Sequence, residues 1–199
     1  MSALAANPAK SPPRRKVLLV LAAMLIIGVT GGVVWNRYAM PSILVGAAAP
    51  DFTAVTQSGE SIRLADYQGR EVVVLYFYPK DNTPGCTVQA CSFRDAYEEF
   101  VKAGAVVIGV SSDTADSHRK FADNERLPFL LVADSGGAIR NAYGIPRTFG
   151  IFPGRVTFVI DRKGIVRLVF NSQFSPTQHV TEALEVVRQL AKEYRPAAS

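Results

Sequence analysis

The sequence contains few cysteines and histidines, the residues that form disulfides and zinc sites. Only two cysteines, Cys86 and Cys91, and two histidines, His118 and His179, occur among its 199 residues. Two cysteines cannot build the disulfide framework of a small secreted domain, and a chain of this length can fold without one. A structural zinc site needs four ligands, and neither histidine lies at a ligand-like spacing from the cysteines. The two thiols therefore need another explanation.

Acidic residues are absent from the first 40 positions, where basic residues do occur. Five of the 22 Lys and Arg residues lie there, which leaves 17 to balance the 17 Asp and Glu residues of the rest of the chain. The body of the protein is thus formally neutral. Because a nucleic-acid-binding face needs excess positive charge on the folded domain, we expect no nucleic-acid partner.

Charge is also absent from nineteen consecutive residues, Val17 to Trp35, that follow a basic cluster. A helix of that length spans roughly 28 Å, close to the hydrocarbon thickness of a bilayer. We therefore predict a basic cytoplasmic tail over residues 1–16, a transmembrane signal-anchor helix over 17–35 that holds the chain to a membrane, and a tether over 36–49.

The positive-inside rule sets the predicted orientation of this anchor. With the basic cluster before the run, the N-terminus lies in the cytoplasm and the folded domain on the far side, periplasmic or lumenal, of a single-pass membrane protein. The alternative is a protein secreted after signal cleavage near Val45-Gly46-Ala47. That alternative is weaker because the apolar region of a signal peptide usually runs only about 7–15 residues.

Residues 50–195 predict one α/β domain. Near-continuous apolar runs at 70–79 and 105–111 predict buried strands, and residues 86–101 predict a helix between them. Strand, helix and strand in this order form a parallel pair with a crossover. The remaining predicted elements are an N-terminal hairpin at 53–64, a helix at 114–124, a strand at 129–134, a hairpin at 156–170 and an amphipathic helix at 176–192.

The spacing of the two cysteines favours a redox pair. Five residues apart on one regular helix, their Cα atoms are roughly 8 Å apart and on diverging faces, whereas a disulfide needs about 7 Å or less. A bridge would require local unwinding, which suits a bond that forms and breaks. A static bridge in a non-enzymatic binding domain stays open as an alternative.

The residues before Cys86 predict a reactive thiol. Thr83-Pro84-Gly85 is typical of a turn into a helix, so Cys86 lies in or beside the first turn. The unpaired N–H groups and the dipole of that turn favour a thiolate. The dipole alone gives less stabilisation than a reactive thiolate needs, so we expect a cation from elsewhere in the chain.

The pattern Pro79-x-x-x-Thr83-x-x-Cys86, with Cys91 five residues later, resembles the active-site signature of peroxiredoxins, and specifically of the bacterioferritin-comigratory (peroxiredoxin Q) subfamily with two cysteines in one chain. The resemblance extends over residues 46–192, from "GAAAPDFT" to the hairpin "GRVTFVIDRKGIV" and the final helix. It implies a thioredoxin-like α/β fold, with a central mixed β-sheet flanked by helices, in addition to the N-terminal transmembrane helix.

The resemblance also implies a role for each matching residue. Cys86 would be the peroxidatic thiolate, and Cys91 would resolve its sulfenic acid to an intramolecular disulfide. Thr83 would orient the peroxide, and Pro79 would shield the site from water. Arg155 would be the missing cation, stabilising the thiolate and the leaving oxygen.

Two further arginines, Arg147 and Arg162, lie near Arg155 in the sequence and compete for the role of the cation. An arginine at the start of a strand is more often solvated than catalytic. The choice of Arg155 therefore depends on the resemblance, which places it just before "VTFVID".

The predicted function is that of a thiol-specific peroxidase. It reduces hydrogen peroxide and small organic hydroperoxides, is recycled by a thioredoxin-like reductant, and needs no cofactor or metal. Because the resolving cysteine is in the same chain, we expect a monomer. The alternative function is a membrane-tethered thioredoxin-like disulfide oxidoreductase, a class that generally uses a Cys-x-x-Cys spacing.

Overall fold

The computed structural model describes residues 41–148 and 151–194. In chain order, its elements are β1 (Thr53–Val55), β2 (Ser61–Arg63), a 3-10 turn (Leu64–Tyr67), β3 (Val72–Phe77), α1 (Pro84–Asp95), α2 (Tyr97–Lys102), β4 (Ala105–Ser111), α3 (Ala115–Glu125), β5 (Leu130–Ala133), α4 (Ala138–Ala142), β6 (Arg147–Thr148), β7 (Phe152–Pro153), β8 (Val156–Ile160), β9 (Val166–Asn171) and α5 (Gln178–Glu193).

Five of the strands form a mixed central sheet in the order β5-β4-β3-β8-β9. Strands β3, β4 and β5 are parallel, whereas β8 runs antiparallel to both β3 and β9. All six residues of β3 are buried, as its uninterrupted apolar run predicted. A mixed sheet of this topology flanked by helices is the thioredoxin-like arrangement, so the predicted fold of the domain is confirmed.

Successive side chains of β3 enter different cores, because residues of a strand alternate between the two faces of a sheet. Val72, Val74 and Tyr76 belong to the core shared with α1, α2, α3 and α5. Val73, Leu75 and Phe77 belong to the core shared with α4, the 3-10 turn and the segment that leads into β1. Helix α1, which carries both cysteines, thus lies on the first of these faces.

Gly109 of β4 leaves room for the Tyr76 ring on which α1 packs. The Tyr76 ring is fully buried and stacks on Phe93 of α1 with centroids 4.6 Å apart. A Cβ atom at Gly109 would lie 2.7 Å from the Tyr76 ring and 2.8 Å from Leu131. Any larger residue at position 109 would therefore displace the tyrosine on which the cysteine-bearing helix packs.

The structure corrects the predicted helix over residues 86–101. It begins two residues earlier, with Pro84 at the first helical position, where the missing N–H of proline costs no hydrogen bond. It is also divided at Ala96, whose ψ of 1° lies outside the helical range. The apolar periodicity continues across Ala96, so no sequence pattern marks this division.

The start of the domain lies inside the predicted tether over residues 36–49. Gly46 N donates to Val166 O at 2.8 Å, and Ala49 N donates to Gly164 O at 2.9 Å. These residues are thus fastened to the β8–β9 hairpin. The tail and span predicted over residues 1–35 lie outside the described residues. Within 41–148 and 151–194, no helix is long and apolar enough to cross a membrane.

His179, in the first turn of α5, is buried between two hydrogen-bond partners. Its Nε2 donates to Ser172 O at 2.8 Å, and its Nδ1 accepts from the Thr157 hydroxyl at 2.8 Å. Burial lowers the pKa of His179 to about 4, outweighing the bond to Ser172, and the charge of Arg155 lowers it further. The ring is therefore held neutral in the folded protein.

This burial predicts a loss of stability in mild acid. Because the unfolded histidine binds a proton near pH 6.5 and the folded one only near pH 4, stability is full above 6.5 and falls as the pH drops. The loss by pH 4 is about 3 kcal/mol in the free energy of unfolding. We expect His179→Gln to be less stable at pH 7.5 but to lose much less between pH 6.5 and 4, as measured by urea unfolding. Parallel stability curves for the two proteins would contradict this prediction.

Candidate active site

Cys86 is the third residue of α1 and faces the protein interior. Thr83 precedes the helix in an extended conformation, with φ −91° and ψ 145°, and its carbonyl accepts from Thr87 N at 2.9 Å. The Cys86 side chain is only 2% exposed. It therefore lies in the first turn, as predicted, where backbone N–H groups without helical partners favour negative charge.

Arg155, the residue before β8, brings a positive charge to this thiol. Its Nη2 donates to Cys86 Sγ at 3.4 Å, and its Nη1 donates to Gln89 Oε1. Its Nε donates to Gln173 O at 3.3 Å, and the side chain is buried. Because three partners hold the guanidinium, its charge stays directed at the sulfur.

The two competing arginines lie elsewhere. Arg147 is exposed and donates to Ile151 O at 3.4 Å. Arg162 lies over the ring of Tyr194, with its Cζ 4.6 Å from the centroid. Of these three arginines, the structure brings only Arg155 into contact with Cys86.

Gln89 is a buried part of this site that the sequence analysis missed. Its Oε1 accepts from Arg155, while its Nε2 has no hydrogen-bond partner among the described residues. Its position three residues after Cys86 places both side chains on one face of α1. That spacing is the signal that could have identified it.

Replacing Gln89 should lower the rate of reaction with peroxide, because Gln89 holds Arg155 in place. In Gln89→Leu the guanidinium loses the acceptor that orients it, so we expect the second-order rate constant for hydrogen peroxide to fall about tenfold. The rate is measured by competition with a peroxidase of known rate. Gln57→Leu, a change of the same kind beside the edge strand β5, where Gln57 bonds to Phe129 and Leu131, should leave it unchanged. An undiminished rate in Gln89→Leu would show that Arg155 needs no support from this residue.

Thr83 and Pro79 lie in the segment that leads into α1, and neither has a hydrogen bond to Cys86 among the described residues. Both are partly buried, and the Thr83 hydroxyl donates to Lys80 O at 3.0 Å. Thr83 occupies the position before the helix without a side-chain capping bond. The carbonyl just before Pro79 accepts from Arg140 Nη2 at 3.0 Å. Arg140 is distant in sequence, and no pattern indicates it.

A buried polar cluster anchors the loop between β3 and α1. Asp81 accepts from the Tyr78 hydroxyl at 2.7 Å, from the Ser117 hydroxyl at 2.7 Å and from His118 Nδ1 at 2.9 Å. Burial alone would raise the pKa of Asp81, but these bonds hold it below its ordinary value. The cluster fixes the loop whose next residues, Asn82 and Thr83, lead into the helix.

Cys91 lies on a different face of α1 from Cys86. It is partly buried, and its Sγ donates to Glu125 Oε2 of α3 at 3.4 Å. Burial, and then the bond to Glu125, raise the pKa of the Cys91 thiol. Both thiols are free, and because they have different partners, a bond between them requires α1 to change locally.

Comparison with known proteins identifies the family of the chain. The sequence profile of the AhpC/TSA family matches residues 45–169. A protein of Oryza sativa subsp. indica named as a putative chloroplastic peroxiredoxin Q is 48% identical over 156 residues, which cover 78% of this chain and 71% of that protein.

Two solved structures have the same fold. The peroxidoxin BcpB of Mycobacterium tuberculosis is 35% identical, with a TM-score of 0.69, over 74% of this chain and 98% of that one. The bacterioferritin comigratory protein of Xanthomonas campestris, whose structures concern its alkyl peroxide reduction activity, is 29% identical, with a TM-score of 0.67, over 76% and 99%.

A thioredoxin-like domain with a buried cysteine and arginine at a helix N-terminus defines a class of thiol peroxidases. The chain belongs to the AhpC/TSA family and is a peroxiredoxin, a thioredoxin-dependent peroxidase. Its activity implies a peroxide substrate and a thioredoxin-like reductant.

The predicted localisation is wrong. A single-pass membrane protein with a periplasmic or lumenal domain is contradicted by the relatives, which are named as chloroplastic proteins. The inference depended on the length and charge of residues 17–35 and their flanks. Hydropathy and charge report whether a segment suits a bilayer, and they carry no information on the compartment in which related enzymes work.

Proposed function

We propose that Cys86 is the peroxidatic nucleophile of this peroxiredoxin and that Arg155 activates it. The observation that carries the proposal is the 3.4 Å contact between Arg155 Nη2 and Cys86 Sγ in the first turn of α1. A buried cation and the helix N-terminus both stabilise the thiolate, which is the reactive form. No other cysteine of the chain has this environment.

In the proposed first step, the Cys86 thiolate attacks the terminal oxygen of a hydroperoxide. An S–O bond forms, the O–O bond breaks, and the departing oxygen leaves as water or an alcohol after taking up a proton. Arg155 donates to the oxygen on which charge develops, and the Thr83 hydroxyl orients the peroxide. Pro79 limits the access of water, so that the reaction proceeds in a low-dielectric site.

In the proposed second step, Cys91 attacks the Cys86 sulfenic acid. The S–S bond forms as the S–O bond breaks, and the hydroxide leaves as water with the thiol proton. Because the two thiols face different partners, α1 unwinds between them for this step. A thioredoxin-like dithiol then reduces the disulfide, and both cysteines return to their places on the helix. Since one chain supplies both thiols, the proposed cycle is complete in a monomer.

The proposed substrates are hydrogen peroxide and small organic hydroperoxides. The alkyl peroxide activity of the Xanthomonas campestris relative supports the second class. The reacting group is the same in both, so the Cys86 site needs no further group to accept an alkyl substituent.

Turnover by Cys91→Ser tests the proposed cycle. With thioredoxin, thioredoxin reductase and NADPH, we expect the wild-type chain to consume hydrogen peroxide and tert-butyl hydroperoxide repeatedly. Cys91→Ser should react once at an unchanged rate, stop as Cys86 sulfenic acid, and lose about 99% of its thioredoxin-dependent turnover. Ser92→Ala is the matched control at the next position. Full turnover by Cys91→Ser would overturn the assignment of the resolving cysteine.

A further inference from the structure

The second half of α1 is fastened to the end of α3 by two contacts with one residue. Cys91 Sγ donates to the Glu125 carboxylate at 3.4 Å, and Arg94 Nη1 donates to the Glu125 carbonyl at 2.8 Å. Glu125 is the last residue of α3, and the next residue, Arg126, leaves the helix with a left-handed φ of 53°. Cys91 and Arg94 are three residues apart, so both contacts use one face of α1.

Helix α1 is therefore held from two sides. Its first turn is fixed by the contacts of Arg155 with Cys86 and Gln89. Farther along, Phe93 is fully buried and stacks on Tyr76, which resists withdrawal of the helix beyond Cys91. The segment that can unwind is thus the short stretch from Cys86 to Ser92.

Within this stretch, Gln89 and Ala90 are buried, whereas Val88 is exposed and Cys91 and Ser92 are only partly buried. The Ser92 hydroxyl donates to the Val88 carbonyl at 2.9 Å, a bond of a kind that slightly weakens and bends helices. Among the described residues, Glu125 is the one side chain that forms a hydrogen bond with the Cys91 thiol. The release of Cys91 from Glu125 is consequently the step that frees the thiol.

We propose that Glu125 is a positioning residue that retains the Cys91 thiol against α3 in the reduced enzyme and so limits the rate of disulfide formation. The inference rests on the proposed roles of Cys86 and Cys91. When Cys91 leaves Glu125, its sulfur bonds to the sulfur of the Cys86 sulfenic acid. The S–O bond breaks, and the thiol proton joins the departing hydroxide to give water.

The chemistry of the resting contact agrees with this role. A carboxylate accepts a hydrogen bond only from the protonated thiol. Burial and the bond to Glu125 raise the pKa of Cys91, so the waiting thiol stays protonated and unreactive. Retention prolongs the sulfenic acid of Cys86, the form that a second peroxide oxidises further to sulfinic acid.

The test uses the full chain and Glu125→Gln, which keeps the size of the side chain but removes its charge. After mixing with hydrogen peroxide and acid quenching, mass spectrometry follows Cys86 oxidation and disulfide formation separately. We expect the disulfide to form about three to ten times faster in Glu125→Gln, because a neutral acceptor holds a thiol less strongly than a charged one. The rate of Cys86 oxidation should stay within about twofold of the wild-type rate, since Glu125 does not touch Cys86.

Glu193→Gln is the matched control, since Glu193 is likewise the last residue of its helix but is exposed and pairs with Arg167. An equal acceleration in this control would overturn the proposal. So would an unchanged rate in Glu125→Gln, or a slower one, which would assign Glu125 to proton removal from Cys91 instead.

Urea unfolding of the reduced proteins separates retention of the thiol from a general loss of helix stability. If Glu125 holds the Cys91 thiol, Glu125→Gln should lower the unfolding free energy less in a Cys91→Ala background than in the wild type. Equal effects in both backgrounds would overturn the proposal. If the wild-type chain forms no disulfide between Cys86 and Cys91, the proposed function fails together with this inference. If the disulfide forms and only the rate comparison fails, only the role of Glu125 is lost.

Discussion

Cys86→Ser should abolish peroxide reduction, with the second-order rate constant falling at least about a thousandfold. A serine hydroxyl is a far weaker nucleophile than a cysteine sulfur, and no general base lies beside it to activate it among the described contacts of position 86. The substitution is nearly isosteric at a position only 2% exposed, and we expect the fold to survive it. The measurement is the rate of hydrogen peroxide loss with thioredoxin, thioredoxin reductase and NADPH.

Cys91→Ser is the internal control for that result, because it removes the other thiol of the same helix. If Cys86 is the nucleophile, Cys91→Ser still reduces one equivalent of peroxide at the wild-type rate while Cys86→Ser reduces none. Retention of fast oxidation in Cys86→Ser would place the nucleophile elsewhere and overturn the account.

Arg155→Gln should lower the same rate constant about a hundred- to a thousandfold, the usual cost of removing a donor aimed at developing negative charge. The variant removes the cation beside the sulfur and the donor to the leaving oxygen. Arg155→Lys should recover only part of the rate, because an ammonium group cannot bond to the sulfur, Gln89 and Gln173 with the fixed fork of a guanidinium.

Arg147→Gln and Arg162→Gln are the controls, since both arginines are close to Arg155 in sequence but contact Ile151 and Tyr194 instead. Each should keep the wild-type rate within about twofold. A large loss in either variant, with Arg155→Gln unaffected, would show that the cation of the site was assigned to the wrong residue.

Much of the fold follows from local patterns that the sequence displays. The six buried residues of β3 form an uninterrupted apolar run, and α5 carries Val180, Leu184, Val187 and Leu190 in helical phase. The same reasoning could not predict α4 or the paired strands β6 and β7. These have five and two residues, respectively, and elements this short show no periodicity.

The residues of the site likewise include some that a local motif indicates and others that only the tertiary structure brings together. Pro79, Thr83, Cys86 and Cys91 lie within thirteen residues, so a single motif indicated all four. Arg155, 69 residues from Cys86, required a resemblance, and its contact with the sulfur is a product of the pairing of β3 with β8. Arg140 and Glu125 are brought to the site by tertiary packing, and no sequence pattern around either residue indicates its position there.

The decisive experiment follows both thiols after a single equivalent of hydrogen peroxide. The reduced full chain is mixed with one equivalent, quenched with acid and analysed by mass spectrometry of its peptides. We expect the loss of two hydrogens and a cross-link between Cys86 and Cys91, with Cys91→Ser trapped as sulfenic acid at Cys86. Unchanged thiols, or oxidation at Cys91 with Cys86 still reduced, would contradict this expectation.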